Sequence, residues 1–369
     1  MTKGSSSSRW IWCLLVVAVL ATTTTRAQQI SDVPDETDRA GILTAEEILL
    51  KVFDRTGGFR WTSHENWLGE DVCTYEGITC YTNEEDWAGH VREVDLANNQ
   101  LVGTLPSDIF ALPYLESLIL RDNNDLYVEF DNAQQANFLK NLVISGTHTD
   151  SLFGIGVLAS SLETLHITHL GLTGTIPSDI FRMTNLKGLF ANFNAFSGPL
   201  STEIGNFFYM TDLYLYDNNL QGLIPTEIGE LVNLQTLALG DNAWTGQLPS
   251  ELDRCTDLRT ISIQRSPDNL KGTGLGGNLL TLSGMADINR VDFSNQRLTG
   301  NIPPTFLATA SRDKPIQVDL SGNQISGSIP TSLVEKTSLT LLVADNQITT
   351  LDNSFCAQVP QWMGGSVAS

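Results

Sequence analysis

Leu213-Tyr214-Leu215-Tyr216-Asp217-Asn218-Asn219-Leu220 decides the architecture, because 24 residues further on the chain reads Leu237-Ala238-Leu239-Gly240-Asp241-Asn242-Ala243-Trp244. The same frame fits Val94 to Leu101, Leu189 to Phe196, Val291 to Leu298, Val318 to Ile325 and Leu341 to Ile348. The shared pattern is LxLxxNxL, with a further apolar residue three positions upstream, such as Leu186, Leu234 or Ile288. A second signature follows it, Gly103-Thr104-Leu105-Pro106, and recurs at Gly174 to Pro177, Gly222 to Pro225, Gly246 to Pro249, Gly300 to Pro303 and Gly327 to Pro330. A fixed period of this length marks stacked coils rather than separate globular domains.

Each part of the unit has a physical task. Alternating LxL makes a short strand with both leucines on one face. The Asn can turn the chain and bond backbone groups of the neighbouring coil. The Gly of GxIP permits a bend, and the Pro fixes φ on the return path. One coil cannot bury its own leucines, so coils stack and share a core. About eleven coils run from Val91 to Thr350.

With those residues quoted, the chain resembles the plant-type leucine-rich-repeat proteins, whose unit reads LxxLxLxxNxLxGxIP. Trp61, Asn66-Trp67, Cys73, Gly77 and Cys80 resemble that family's N-terminal cap. The likeness runs over about 300 residues, from Leu43 to Thr350. It implies an α/β-type leucine-rich-repeat solenoid with a parallel concave sheet, short second strands on the convex side, and a helical, disulfide-bonded cap. Several coils depart from the pattern. Tyr75 stands where the cap usually carries Trp, and Thr147 and Leu170 stand where the Asn belongs. Coil two is one residue longer around Asp122 to Leu126, and coil eight, Leu258 to Asp287, is swollen to about 30 residues.

Open solenoid ends need covers. Thr44 and Glu47 form a capping box that opens a helix over 43–56, with Ile48, Leu49, Val52 and Phe53 on one face and Gly57-Gly58 ending it. The expected organisation is a signal peptide over 1–27, a flexible leader over 28–42, the cap over 43–90, repeats over 91–350, and a C-terminal cap and tail over 351–369. The signal reading rests on Lys3 and Arg9, the short apolar run Trp10 to Ala21, and small residues before Ala27. The run is too short to span a bilayer, and no later stretch reaches ~18 apolar residues. Of the cysteines, Cys73 and Cys80 are expected to pair within the cap, as the resemblance also implies. Cys255 and Cys356 lie four coils apart, roughly 19 Å at ~4.8 Å per strand, beyond the ~7 Å that a disulfide spans. Cys255 reads as a small buried residue; Cys356 reads as a free thiol of the end cap or a link to another chain.

Composition narrows the function. Twenty-one Lys+Arg face 42 Asp+Glu, a formal charge of −21. That disfavours nucleic acid, whose binders present a basic face, and anionic membranes. Loss of residues 1–27 would remove three basic residues and no acid, which makes the remainder more acidic still. Gly272-Thr273-Gly274-Leu275-Gly276-Gly277 contains GxGxxG, but inside the swollen coil, without the strand and helix a phosphate cradle needs, so it reads as a flexible insertion. The five histidines show no metal spacing, there is no GxSxG, and no N-x-Ser/Thr sequon occurs. Neither a catalytic centre nor a cofactor is expected.

The residues between the leucines line the concave sheet. Adjacent coils there place His166, Phe190, Phe193, Tyr214 and Tyr216 together, bordered by Asp212 and Asp217. Exposed aromatics on a rigid sheet are anchors for a protein or sugar, or else they only pack on one another across strands. The expected function is non-catalytic recognition of an extracellular protein, peptide or cell-wall polysaccharide. The resemblance offers two versions, a free-standing secreted binder similar to polygalacturonase-inhibiting proteins and a receptor-like ectodomain or co-receptor. A structural wall array is the third reading.

Overall fold

The computed structural model describes residues 43–350, apart from 270 and 334. The expected signal peptide, leader and C-terminal cap, with Cys356, lie outside the described residues.

Twelve strands form the concave sheet: β1 (Ile78–Cys80), β2 (Val91–Asp95), β3 (Ser117–Ile119), β4 (Asn141–Val143), β5 (Thr164–His166), β6 (Gly188–Phe190), β7 (Asp212–Tyr214), β8 (Thr236–Ala238), β9 (Thr260–Ser262), β10 (Arg290–Asp292), β11 (Ile316–Asp319) and β12 (Leu339–Leu342). They pair in chain order. From β2 onward every pairing is parallel and in register, Leu189 beside Leu213 beside Leu237. These leucines are fully buried and stack into one continuous core. Eleven parallel strands correspond to the eleven coils read from the sequence. The GxIP segments lie on the far side and add short parallel strands, of which Ala195–Gly198 and Asn219–Gly222 are one pair. Beyond most of these prolines the return path is a single 3-10 turn, such as Thr226–Glu230, and beyond Pro303 it is made of turns alone, so the convex side carries no α-helix among the described residues.

Asparagine closes each bend. Asn218 Oδ1 accepts the Phe196 N–H of the preceding coil at 3.0 Å, while its Nδ2 donates to Ala191 O and Leu215 O. Asn242 repeats this against Leu220, Leu215 and Leu239. The residue just before the Asn is left-handed in coil after coil, as at Phe193 (φ 56°), Asp217 (φ 52°) and Asp241 (φ 51°).

The cap forms as its residues dictate. Helix α1 (Ala45–Arg55) begins at the Thr44–Glu47 capping box and buries Ile48, Leu49, Val52 and Phe53. Phe53 packs on Trp61 and Trp67, and Trp67 on Tyr75, which is buried in the place usually held by Trp. Cys73 and Cys80 are disulfide-bonded. Strand β1 runs antiparallel to β2 and so ends the parallel sheet. Cys255 is a free, buried thiol whose Sγ donates to Ile228 O; burial pushes its pKa up to about 11, which leaves it unreactive.

The swollen coil corrects one expectation. Its extra residues were expected to be a flexible insertion, yet those described are tied to the array. Asp241 accepts Ser266 N–H at 2.6 Å and Ser266 Oγ at 2.7 Å, and Lys271 Nζ reaches back to Asn218 O at 2.8 Å. After the excursion Leu275 rejoins the core, and Gly276 N–H donates to Gly246 O. The GxGxxG string is followed by no helix among the described residues, so the anion-cradle geometry is absent there.

Candidate functional site

The concave aromatic patch assembles from in-register pairing alone. His166, Phe190 and Tyr214 end β5, β6 and β7, each directly opposite the next. Their side chains point away from the leucines, and strand spacing brings the rings face to face. His166 and Phe190 stand 4.0 Å apart at 10°, and Phe190 and Tyr214 5.0 Å apart at 18°. Gly188, two residues before Phe190, makes the stack possible, since a Cβ there would meet the Phe190 ring at 2.9 Å. The column steps down at Ala238, which is nearly covered, so the ladder ends at Tyr214.

A second row lies where the strands end. His169 stacks on Phe193 at 4.4 Å, and Phe193 meets Tyr216 edge-on at 5.0 Å. Tyr216 also lies 6.3 Å from Tyr214, which joins the two rows. Phe193 is 39% exposed despite its ring contacts. The left-handed backbone at His169, Phe193 and Asp217 aims these side chains outward at the sheet's downstream edge. All seven residues expected at the patch are therefore together there, and His169 belongs with them. Asp212 flanks the patch at the strand start, where its carboxylate accepts Thr211 Oγ–H at 2.8 Å. Asp217 flanks it at the other end.

The electrostatics follow from partial burial. Desolvation, helped by the nearby Arg121 guanidinium, lowers the His166 pKa, so the ring that stacks on Phe190 is the neutral imidazole at neutral pH. Burial and then the Asp241 charge raise Asp217, with Lys271 and His169 pulling the other way. Burial and the Asp217 charge raise Tyr216, so its hydroxyl keeps its proton and can donate. The patch offers flat ring surface, one phenol donor row and acidic borders. Nothing in it forms a nucleophile–base pair, and no His/Cys/Asp/Glu group able to hold a metal occurs among the described residues.

A further aromatic row escaped the sequence reading. Tyr114, Phe138 and Tyr209 all occupy the fourth position before the first LxL leucine, so they fall in one column along the upstream edge of the sheet. The shared register was the available signal.

The Leucine Rich Repeat family profile matches residues 90–112, 209–231 and 316–335. A 57-residue stretch is 44% identical to receptor protein kinase WSS1 of Oryza sativa subsp. japonica, over 15% of this chain and 6% of that protein. Among solved structures, a TDR receptor is similar over 71% of this chain and 44% of its own, at 27% identity and a TM-score of 0.60. The Arabidopsis HAESA ectodomain, solved with an N-terminally extended IDA peptide hormone, is similar over 82% of this chain and 53% of its own, at 24% identity and a TM-score of 0.61. The chain spans about half the length of these two receptors or less, and only a small part of the rice kinase. The chain is a leucine-rich-repeat solenoid. Its likenesses include plant receptors and their ectodomains, and no described helix is long and apolar enough to cross a membrane.

Proposed function

We propose that this chain is a non-catalytic extracellular recognition protein whose concave aromatic patch holds an extended peptide. The carrying observation is the double row of stacked rings across β5, β6 and β7, partly exposed on a rigid sheet. An extended peptide lying across parallel strands would set alternate side chains against successive coils, and rigid aromatics are efficient anchors because little entropy is lost on contact. The step from Tyr214 to Ala238 gives a bulky ligand side chain somewhere to sit against a ring. The acidic borders Asp212 and Asp217 favour a peptide with basic residues at matching positions. That HAESA was solved with a peptide hormone supports this reading over a wall polysaccharide or a structural array.

The test is selection of peptides from a random display library on the immobilised full chain. Selected peptides are then titrated against a Phe190→Ala/Tyr214→Ala variant, with thermal melting of both proteins recorded. The expected result is a folded variant that loses on the order of a hundredfold in affinity. Equal affinity for both proteins, or no enrichment on the wild type, would overturn the assignment.

A further inference from the structure

A second surface, distinct from the concave patch, lies along the upstream edge of the sheet, where the chain approaches β4 to β7. Here a cleft of about 390 Å³ is lined by Asn137, Phe138, Ser160, Asn185, Lys187 and Tyr209, among others. Phe138 stands at one end, 36% exposed, and Tyr209 at the other, 58% exposed. They are three coils apart, roughly 14 Å at ~4.8 Å per strand. Between them the lining is amide and hydroxyl, from Asn137, Ser160, Ser161 and Asn185, together with the ion-paired side chains of Lys140, Glu163 and Lys187.

The aromatic end does not stop at Phe138. Its ring meets Trp87 at 5.4 Å and Tyr114 at 5.4 Å, and Trp87 stacks on Tyr114 at 5.0 Å and 19°. Tyr81, buried, supports Trp87 from behind at 5.4 Å. The platform is thus held by rings of the cap and of two coils before any ligand arrives.

The charges beside the cleft are already matched. Glu116 takes Lys140 and Arg92 together, Arg92 also pairs with Glu85 at 3.4 Å, and Lys187 pairs with Glu163 at 2.6 Å. Burial alone would raise the Glu116 pKa, but the hydrogen bonds from Lys140 and Arg92 outweigh it and hold the carboxyl below its ordinary range. An edge whose ions satisfy each other, on a chain of charge −21, attracts no acidic ligand and offers no unmatched anion to a basic one.

We infer that this cleft binds a neutral oligosaccharide, its chain laid along the upstream edge from the Trp87–Tyr114–Phe138 platform to Tyr209. Sugar rings present C–H groups on their faces and hydroxyls around their rims. The aromatic faces carry the negative quadrupole that such C–H groups meet well. The Asn and Ser side chains between them supply the donors and acceptors that rim hydroxyls require. A coil repeat near the length of a hexose ring lets successive sugars meet equivalent positions. A protein partner fits less well, because the strip between the aromatic ends is polar and holds no buried apolar core of the kind protein interfaces use.

The experiment is isothermal titration of the full chain with cellohexaose, laminarihexaose, mannohexaose and xylohexaose, alongside intrinsic tryptophan fluorescence compared with that of a Trp87→Phe variant. Tyr209→Ala and Phe138→Ala are compared with wild type, and Phe153→Ala, at a 90% exposed ring outside the cleft, serves as a folded control. Binding of at least one sugar is expected, weakened on the order of tenfold by each edge variant and unchanged by Phe153→Ala. No binding of any of the four, or binding that survives loss of both edge aromatics in a folded protein, would overturn the proposal. So would binding kept in both edge variants but lost in the Phe190→Ala/Tyr214→Ala protein, which would move the sugar to the concave face.

Discussion

The coils between Gly188 and Asn242 and those between Leu258 and Leu298 solve the same problem with different residues. In the first group Asn194, Asn218 and Asn242 each bond the bend behind them and their own strand end. In the second, Ser266 stands in the Asn place, and its hydroxyl bonds the Asp241 carboxylate of the coil before rather than the backbone of that bend. Asp241 and Lys271 hold that stretch instead, and the next coil uses Gln296. Its Oε1 accepts Leu275 N–H at 2.8 Å and its Nε2 donates to Ile263 O at 2.6 Å. An extra methylene suits a coil that bulges. The task of satisfying buried backbone groups is thus fixed, while the residue assigned to it follows the local path of the chain.

The comparison can be broken at its strongest point first. Asn218→Leu should cost about 3 kcal/mol or more, because Phe196 N–H, Ala191 O and Leu215 O all lose a buried partner. Urea denaturation would show it, and a loss well under 1 kcal/mol would mean that water replaces the carboxamide there. Gln296→Asn sharpens the same point. If length matters in the bulged coil, the shorter amide reaches one partner only, at a cost of about 1–2 kcal/mol. A neutral result would show that the coil relaxes to fit.

The smallest effect concerns pH and the aromatic patch. The His166 pKa is lower folded than its ordinary 6.5, so the unfolded chain binds the proton more tightly. Its contribution to stability is complete above pH 6.5 and declines as the pH falls toward the folded value. His166→Gln should flatten the pH dependence of the denaturation midpoint over that window. An identical slope in both proteins would place the origin in other groups.

Strand positions and the concave column were legible because they depend on period and alternation, properties local to LxLxxNxL. Their neighbours across strands then follow without further information, which is why His166, Phe190 and Tyr214 could be grouped in advance. What stayed hidden depends on contacts outside the frame. Thr147 looked like a lost Asn, yet the work is shared: its Oγ donates to Ile144 O, and Thr149, two residues on, accepts Val128 N–H. The anchoring of the swollen coil required knowing that Lys271 lies beside Asn218, 53 residues away in sequence. The upstream row Tyr114, Phe138 and Tyr209 was visible as a column, but its cleft depends on the cap's Trp87, which lies outside the repeat.

The direction of the asparagine bonds also bears on how the protein is made. Asn218 completes the bend of the coil before it, as Asn123 does for Asn99 and Leu101, and Asn346 for Ile325. Where an asparagine holds the place, a coil is therefore finished by its successor. On a ribosome, a coil whose bend waits for such an asparagine emerges with that bend unfilled, and the next stretch of chain closes it on arrival. The bonds that close a bend thus couple each such coil to the one made after it, so the array's stability is carried between neighbours rather than within single coils.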